Sequence, residues 1–481
     1  MSSHVARRLV ATALAALVVA CGPPPPDHAQ PAGWDDEVRL ARAVDLDPDP
    51  HTIEIDLVAR EAELSIVPQG PTRLWTYDGT LPGPMIEARV GDRLIVHFRN
   101  ELPEETTIHW HGLRVPNEMD GAPGHTQPAI PPGGTFEYEF VLPDEGLYWF
   151  HPHQRSAVQV AAGLYGTIVV RADDEPEMDE LVVVLSDVAL KEDNGSLLAP
   201  TAGGALATLF GREGNYALIN GRVDAAIRAR NGVPLRLRFV NAAISRYFQL
   251  AVAGHSFTII GGDRGLLPEP RTVSRLLVLP GQRVDAILVP RGVQGRPLSL
   301  RWVPYDRGYG STEFRDEVDL LRIELVGAAP VAALPMPELP ERTVPPLSTL
   351  GATRFDVELT QATVDGELRM GIDGVPSWES TPVYAHLGET QIWTFRNTMD
   401  WAHPMHLHGY FFQALDRDGN VIPEWLDTID VPVEGEASFV VHYDERPGMW
   451  MFHCHILDHA DAGMMGMIDV GGDDGGHVIP H

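Results

Sequence analysis

The chain has 481 residues, of which 44% are hydrophobic, and this is enough for two to four domains with separate cores. Its formal net charge of −31 argues against nucleic acid and against a polybasic membrane surface, because an acidic protein repels phosphate. It has only two cysteines, and Cys454 is not half of an obvious disulfide, because Cys21 ends an apolar leader.

The sequence of residues 1–21 is typical of an export signal. Arg7 and Arg8 precede an apolar run that is too short to span a bilayer comfortably as a mature helix. The sequence Val18–Cys21 is similar to a bacterial lipobox, in which the cysteine is lipidated; an ordinary secretory signal that contains a cysteine is the alternative. The paired arginines leave the general and the twin-arginine routes open. We expect an exported protein, either lipid-anchored to the cell envelope or periplasmic, with residues 22–44 as a tether.

Three copies of one strand pattern predict three domains. Short alternating runs bounded by turn residues recur along the chain, which is typical of antiparallel sandwiches. The pattern G-x6-F-x-N occurs in GDRLIVHFRN from Gly91, GVPLRLRFVN from Gly232 and GETQIWTFRN from Gly388, and the spacings of 141 and 156 residues suit β-sandwich domains. The predicted units are domain 1 at 45–173, domain 2 at 177–328, a proline-rich linker at 329–346, domain 3 at 347–472 and a flexible tail at 473–481.

Ten of the twenty histidines lie in four short clusters. In chain order these are HWHG from His109, HPH from His151, HPMHLHG from His403 and HCHILDH from His453. One H-x-H pair alone often marks a strand with surface or core histidines. Because the four clusters occupy equivalent positions of the outer two copies, and the middle copy has no such pair, we predict a metal site formed by domains 1 and 3, with domain 2 as a spacer.

The HCH sequence predicts two metal centres joined by one strand. Residues two apart on a strand point to the same face, so His453 and His455 can enter one centre. Cys454 then points to the opposite face and enters a different one. The strand itself would connect the two centres through a few covalent bonds, which is a natural path for electrons.

Ligand softness indicates which metal is bound. A thiolate, two imidazoles and a weak axial thioether describe a blue-copper site. Cys454, His459 and Met464 follow one another at five-residue spacing, and His403 would supply the second imidazole. The other eight histidines have no thiolate among them and alone suit copper as well as zinc, but their link to a blue-copper ligand set favours copper.

These motifs resemble those of the multicopper oxidases, specifically the three-domain laccase-like bacterial branch, over roughly residues 45–472. The resemblance implies an all-β chain of three cupredoxin-like Greek-key β-sandwich domains with four copper ions, three of them in a trinuclear cluster between domains 1 and 3. It implies a type 1 copper on His403, Cys454, His459 and Met464, a type 2 copper on His109 and His406, and a type 3 pair on His111, His151, His153, His408, His453 and His455.

The resemblance implies a copper-dependent oxidoreductase that uses dioxygen as acceptor. Single electrons would pass from a reductant through Cys454, His453 and His455 to reduce dioxygen to two waters. Phenols or aromatic amines are the favoured reductants, because no methionine-rich cluster is visible among the 13 methionines; cuprous, ferrous or manganous ions are rivals. A copper-carrying lipoprotein without turnover is the alternative from another class, although a carrier needs only one exchangeable site. We expect a monomer.

Reducing dioxygen consumes protons, so acids are expected near the cluster. Asp120, just after HWHG, matches an acid that the family keeps beside its trinuclear centre, with an Asp-Gly turn as the alternative. Related bacterial enzymes often carry a glutamate where this chain has Ala460. Asp458, Asp461 or water would have to replace it.

Four further acids have weaker interpretations. Asp400 could orient the His403 imidazole, or it could be a loop residue. Glu424, Asp427 and Asp430 could attract cations at the opening of the type 1 site, or they could belong to a structural strand.

Overall fold

The computed structural model describes residues 28–472, apart from 177, 203, 309–311, 313–314, 330–333 and 365–366. The predicted signal sequence with Cys21 and the predicted tail lie outside these residues. The described strands form six sheets, and each sandwich pairs two of them around one core, which confirms the all-β fold class. None of the helices in the described ranges is long and apolar enough to cross a membrane.

The first sandwich lies within the predicted domain 1. Its sheets have the strand orders β2-β1-β4-β6 and β3-β8-β7-β5, and Trp110 and Tyr148 are in the core between them. Its elements are β1 (Thr52–Val67), β2 (Gly70–Tyr77), β3 (Ile86–Arg89), β4 (Arg93–Asn100), β5 (His109–His111), β6 (Thr135–Val141), β7 (Gly146–His151), α1 (Ser156–Gln159) and β8 (Gly166–Arg171).

The second sandwich lies within the predicted domain 2. Its sheets have the orders β10-β9-β12-β17-β14-β15 and β11-β19-β18-β13-β16. Its elements are β9 (Glu180–Val188), α2 (Gly204–Phe210), β10 (Tyr216–Ile219), β11 (Ala225–Arg230), β12 (Leu235–Asn241), β13 (Phe248–Val252), β14 (Phe257–Gly261), β15 (Leu266–Val273), β16 (Leu276–Val278), β17 (Arg283–Leu288), β18 (Leu298–Val303) and β19 (Val318–Val326).

The third sandwich lies within the predicted domain 3. Its sheets have the orders β21-β20-β23-β27-β25 and β22-β29-β28-β24-β26. Its elements are β20 (Thr353–Val364), β21 (Glu367–Ile372), β22 (Val383–Ala385), β23 (Thr390–Asn397), β24 (His403–Leu407), β25 (Phe412–Ala414), β26 (Thr428–Val431), β27 (Glu436–His442), β28 (Gly448–Cys454), α3 (Leu457–Asp461) and β29 (Met465–Val470).

The repeated G-x6-F-x-N pattern forms the same strand in each sandwich. It is β4, β12 and β23, each with one parallel and one antiparallel neighbour. Its last residue, Asn100, Asn241 or Asn397, donates two hydrogen bonds to carbonyl oxygens of nearby loops or strand ends and accepts one from the amide two residues further on. The asparagine is therefore kept because it fixes the strand end to two loops.

The segment predicted as a tether is packed where it is described. Trp34 and Val38 belong to the buried core of the second sandwich. The Trp34 carbonyl accepts from the Arg228 amide at 2.9 Å, and Asn220 donates to the Val38 carbonyl at 2.7 Å. The prediction of a tether over 22–44 is thus wrong for these residues, because Trp34 and Val38 bind the segment to one core while Leu40 and Ala43 pack against two others.

Candidate metal centres

The two faces of β28 carry side chains for the two predicted centres. Antiparallel pairing sets Met405 of β24 opposite Cys454, and His406 opposite His453. Cys454 and Met405 face the core of the third sandwich, while His453 and His406 face the first sandwich. The alternation predicted from the HCH sequence is therefore the arrangement that the structure shows.

The sulfur of Cys454 lies in a compact group with two imidazoles. Its Sγ is 3.5 Å from Nδ1 of His403 and 3.6 Å from Nδ1 of His459, and these two nitrogens are 3.2 Å apart. The three side chains are fully buried, and so is Met464, whose carbonyl accepts from the Cys454 amide at 3.0 Å. The start of β24, the end of β28 and α3 bring these residues together. Three soft or borderline donors thus surround one point.

The other eight predicted ligands meet between the first and third sandwiches. Pairing of β5 with β7 sets His109 opposite His151, and the rings of His109 and His111 stack on those of His408 and His406 at 3.7 Å. Their nitrogens form groups whose atoms all lie within 4.8 Å of one another. The groups are His111, His151 and His455; His153, His408 and His453; and His109, His111 and His406.

Hydrogen bonds fix the tautomers of five of these histidines. Each Nδ1 lies 2.8–3.0 Å from an oxygen, in the pairs His109–Asp120 carbonyl, His151–Pro152 carbonyl, His406–Asp427 carbonyl, His453–Cys454 carbonyl and His408–Asp120 carboxylate. Since Nδ1 carries the proton, Nε2 presents a lone pair to the space between the domains.

These lone pairs require a positive charge between them. Nε2 of His453 is 3.2 Å from Nε2 of His408 and 3.3 Å from that of His153. Unprotonated nitrogens at this distance repel one another unless a cation lies among them. Nε2 of His109 and Nε2 of His406 are buried and have no hydrogen-bond partner in the described part of the chain. The donors present therefore fit copper, a metal that imidazole and thiolate ligands suit.

Burial keeps the ligands in the protonation states that matter for metal binding. Loss of solvation lowers the pKa of His408 and of His459 to about 3, so both rings are neutral near pH 7. The same cause lowers the pKa of His153 and His453 well below the ordinary value. Burial raises the pKa of the Cys454 thiol, so a bound cation must displace its proton.

Asp120 connects the two sandwiches at the histidine groups. Its carboxylate accepts from Nδ1 of His408 at 2.8 Å, and its carbonyl accepts from Nδ1 of His109. Burial alone would raise the pKa of Asp120, but His408 and His109 outweigh it and lower that pKa below its usual range. Asp120 is therefore ionised and adjoins the predicted cluster, so it is more than the Asp of an Asp-Gly turn.

The three acids predicted near the type 1 opening lie in three different environments. Glu424 pairs with Arg271 at 2.6 Å. Asp430 accepts from the hydroxyl of Tyr247 at 2.8 Å, and burial raises its pKa to about 6. Asp427 is buried, with its carboxylate 3.5 Å from ring nitrogens of both His111 and His406. Of the two interpretations, these contacts favour a structural role over one acidic opening, because each acid has a different partner.

Two other expectations about acids are changed by the structure. Nε2 of His403 has no hydrogen-bond partner among the described residues, so Asp400 does not orient that ring. Asp458 accepts from the backbone and side chain of Arg212, both at 2.8 Å. Asp461 accepts from backbone amides of the first sandwich at Ser156 and Ala157.

Neither Asp458 nor Asp461 bonds to a cluster histidine within the described chain. Each instead ties α3 to a neighbouring domain.

The middle sandwich contributes residues that sequence reasoning missed. Arg283 of β17 is buried and donates to both carboxylate oxygens of Asp427, at 2.8 and 2.5 Å. Asp263 accepts from the amide of Asp427 at 3.2 Å. Gly281 has φ +85°, and a Cβ there would lie 2.8 Å from the ring of His455. No sequence motif marks a buried arginine in a domain without histidine pairs, so Arg283 could not be recognised from the sequence. Domain 2 is therefore more than a spacer.

Comparison with known proteins agrees with this geometry. Three domain models, each described as Multicopper oxidase, match residues 59–175, 179–295 and 351–474. The chain is 33% identical to the multicopper oxidase MmcO of Mycobacterium tuberculosis over 439 residues, which are 82% of each chain. It is 28% identical to Laccase-2 of Botryotinia fuckeliana, over 85% of this chain and 81% of that one.

A solved structure leads to the same family. The multicopper oxidase of Campylobacter jejuni, described as a metallo-oxidase, superposes with a TM-score of 0.78 at 27% identity, covering 90% of this chain and 94% of that one. Sequence, fold and donor geometry agree over all three sandwiches. The chain therefore belongs to the multicopper oxidase family.

Proposed function

We propose that the protein is a laccase-like oxidase that couples one-electron oxidation of phenols or aromatic amines to four-electron reduction of dioxygen to water. The observation that carries this proposal is the strand β28, which places Cys454 in one donor group and His453 in the other. When bound, copper would supply the one-electron redox chemistry and the binding of dioxygen.

The ligand roles follow the groups in space. His403, Cys454 and His459, with Met464 as axial thioether, would hold a type 1 copper. His109 and His406 would hold a type 2 copper. The two triads, His111 with His151 and His455, and His153 with His408 and His453, would each hold one copper of the type 3 pair.

The protein contributes a path, neutral ligands and compensating charge. Backbone and side-chain bonds connect the Cys454 sulfur directly to His453 and His455. Buried neutral imidazoles bind a cation without first losing protons. The carboxylate of Asp120 adjoins His109 and His408, that of Asp427 adjoins His111 and His406, and both would offset positive charge there. Asp120, ionised and hydrogen-bonded to His408, is placed to accept and pass on protons that reach the cluster through water.

The residues that cover the donor group of His403, Cys454 and His459 support an aromatic reductant. Nε2 of His459 lies 3.1 Å from the carbonyl of Leu209, at the end of α2. The rings of Phe210 and Trp401 meet beside it with centroids 5.3 Å apart. The described part of α2 contains no methionine, so soft donors for a metal-ion reductant are not present in this cover.

Metal-ion oxidation is the second candidate, because the Campylobacter relative is described as a metallo-oxidase. Oxygen uptake should be compared for a methoxyphenol and for cuprous and ferrous ions. If kcat/KM for one of these ions is at least tenfold higher than for the methoxyphenol, the protein is a metal-ion oxidase.

Cys454→Ser tests the proposal directly. A copper–thiolate bond gives intense visible absorption that imidazole sites lack, so this variant should lose its colour and its oxygen uptake with a phenol. Met405→Leu is a matched control, because Met405 lies opposite Cys454 in the same core and is not among the donors. Absorbance spectra, copper content and oxygen uptake should be measured for both. A Cys454→Ser variant that stays blue would refute the type 1 assignment.

We also propose that the protein is exported and lipid-anchored. Cys21→Ala should move it from the membrane fraction to a soluble or unprocessed form, since lipidation of that residue is the anchor in the proposal. Fractionation followed by mass spectrometry of the mature N-terminus measures this. A wild-type protein found wholly soluble in the periplasm would contradict it.

A further inference from the structure

Four methionines lie together on one face of two paired strands. Met449 and Met451 are two residues apart on β28, and Met465 and Met467 are two apart on β29, so the members of each pair share a face. The register sets Met451 opposite Met467, and His453 opposite Met465. Opposed residues have Cβ atoms about 5 Å apart. The four thioethers, here called the methionine strip, therefore lead to the His453 imidazole.

The composition of this strip differs from that of the other core clusters. The three large cores of the described residues consist mainly of valine, leucine, isoleucine and aromatic side chains. Here, among the described residues, the apolar cluster consists of four methionines and Ala122. Leucine has a similar volume and would fill the same space, so packing alone does not require sulfur. The sequence shows no methionine-rich cluster, because the pairing of β28 with β29 is what brings these four together.

The strip is partly exposed at both ends and buried in the middle. Met449 and Met465 are partly exposed, whereas Met451 and Met467 are buried with exposed fractions of 5% and 8%. Ala122 is close in the chain to Asp120, which bonds His408. Cys454 faces the opposite side of β28, within the core of the third sandwich. The strip is therefore directed at the proposed trinuclear cluster and away from the proposed type 1 site.

We propose that the methionine strip binds a cuprous ion and delivers it to the trinuclear cluster through His453. Thioethers are soft ligands that select Cu(I) over harder divalent cations. The partly exposed residues Met449 and Met465 can receive the ion, and the imidazole of His453, opposite Met465, is the stronger ligand. The transfer is an exchange of ligands without oxidation or reduction. Its destination rests on the proposed function, whereas binding to the strip does not.

Silver binding tests the site itself. Ag+ has the charge and ligand preference of Cu+ and is not oxidised in air, so it can be titrated into the copper-loaded enzyme and counted by elemental analysis after desalting. The wild type should bind about one silver ion per chain at this site. The double variant Met449→Leu/Met467→Leu should bind that ion with at least tenfold lower affinity. Met336→Leu/Met370→Leu removes one exposed and one buried methionine elsewhere and should bind as the wild type does. Equal silver binding by the strip variant would overturn the proposal.

Copper loading tests the direction of transfer. Copper-free protein should be given Cu+ without air, then oxidised, with the type 2 electron paramagnetic resonance signal followed against loading time. The strip variant should load about tenfold more slowly and reach the same final copper content. An unchanged loading rate together with lost cuprous oxidase activity would make the strip a substrate site and overturn delivery. Failure of the proposed oxidase function would instead abolish oxygen uptake with every reductant and leave silver binding intact.

Discussion

The position of one proton on each imidazole ring determines what the histidine groups can bind. The Nδ1–H groups of five rings donate hydrogen bonds to the carbonyls of Asp120, Pro152, Asp427 and Cys454 and to the carboxylate of Asp120. The Nε2 lone pairs of these rings therefore converge. Because side chains alternate along a strand, the HCH sequence alone predicted that Cys454 points away from His453 and His455. The hydrogen bond from His408 to Asp120 spans 288 residues, and its partner could be anticipated only through family resemblance.

Asp120→Asn should separate reduction from reoxidation. The amide can still accept from His408 but loses the negative charge and the capacity to take up protons. Phenol should reduce the mononuclear copper at a near-normal rate, while turnover should fall by roughly a hundredfold, the usual scale of a lost acid–base group. Stopped-flow absorbance should show a bleached enzyme in air at steady state.

Asp92→Asn serves as the control, since Asp92 is buried in the same sandwich but bonds the Arg89 amide instead. An Asp120→Asn variant with full copper content and normal turnover would restrict Asp120 to a structural role.

At the scale of elements, β17 of the middle sandwich reaches the cluster that the outer two enclose. Arg283 holds Asp427 against His111 and His406, so three domains converge on two imidazoles. The repeat allowed β4, β12 and β23 to be predicted as equivalent strands. The role of β17 could not be predicted, because histidine pairs are what mark the metal site in the sequence and β17 has none.

Arg283→Lys should disturb the type 2 site in particular. Lysine keeps the charge but cannot bond both carboxylate oxygens in the plane that guanidinium uses. Arg236→Lys is the matched control, because Arg236 is equally buried in the same sheet and bonds Asp285, away from the histidines. Both variants should lose about 1–3 kcal/mol in the free energy of unfolding.

Only Arg283→Lys should change the type 2 electron paramagnetic resonance parameters and lower copper content. The same change in both variants would assign Arg283 to fold stability alone.

At the scale of the whole molecule, folding buries neutral histidines, and this makes stability depend on pH. The folded pKa of His408 and of His459 is about 3, against about 6.5 in an unfolded chain. Below pH 6.5 the unfolded chain takes up protons that the folded chain does not. Stability is therefore complete above that pH and is lost as pH falls toward 3.

Copper-depleted protein should lose about 2 kcal/mol between pH 6 and pH 5 from these two residues alone, at roughly 1.2 kcal/mol per group, because an unfolded imidazole is already about three-quarters protonated at pH 6. Urea unfolding at both pH values measures this. His442→Gln, at an exposed position, should leave the difference unchanged. Identical urea midpoints at the two pH values would show that these rings are protonated in the folded state.

Because the side chains of His453, Cys454 and His455 alternate in direction, metal binding would also favour the correct strand register over a slipped one. A slip of β28 by one residue against β24 would turn the thiol toward the imidazoles of the first sandwich and the two histidines into an apolar core. Neither donor group would then close, and no copper-binding energy would be gained. Only the correct pairing completes both groups at once, so copper binding would stabilise that register over the slipped one, and the visible absorption of a copper–thiolate bond would report that β24 and β28 had paired correctly.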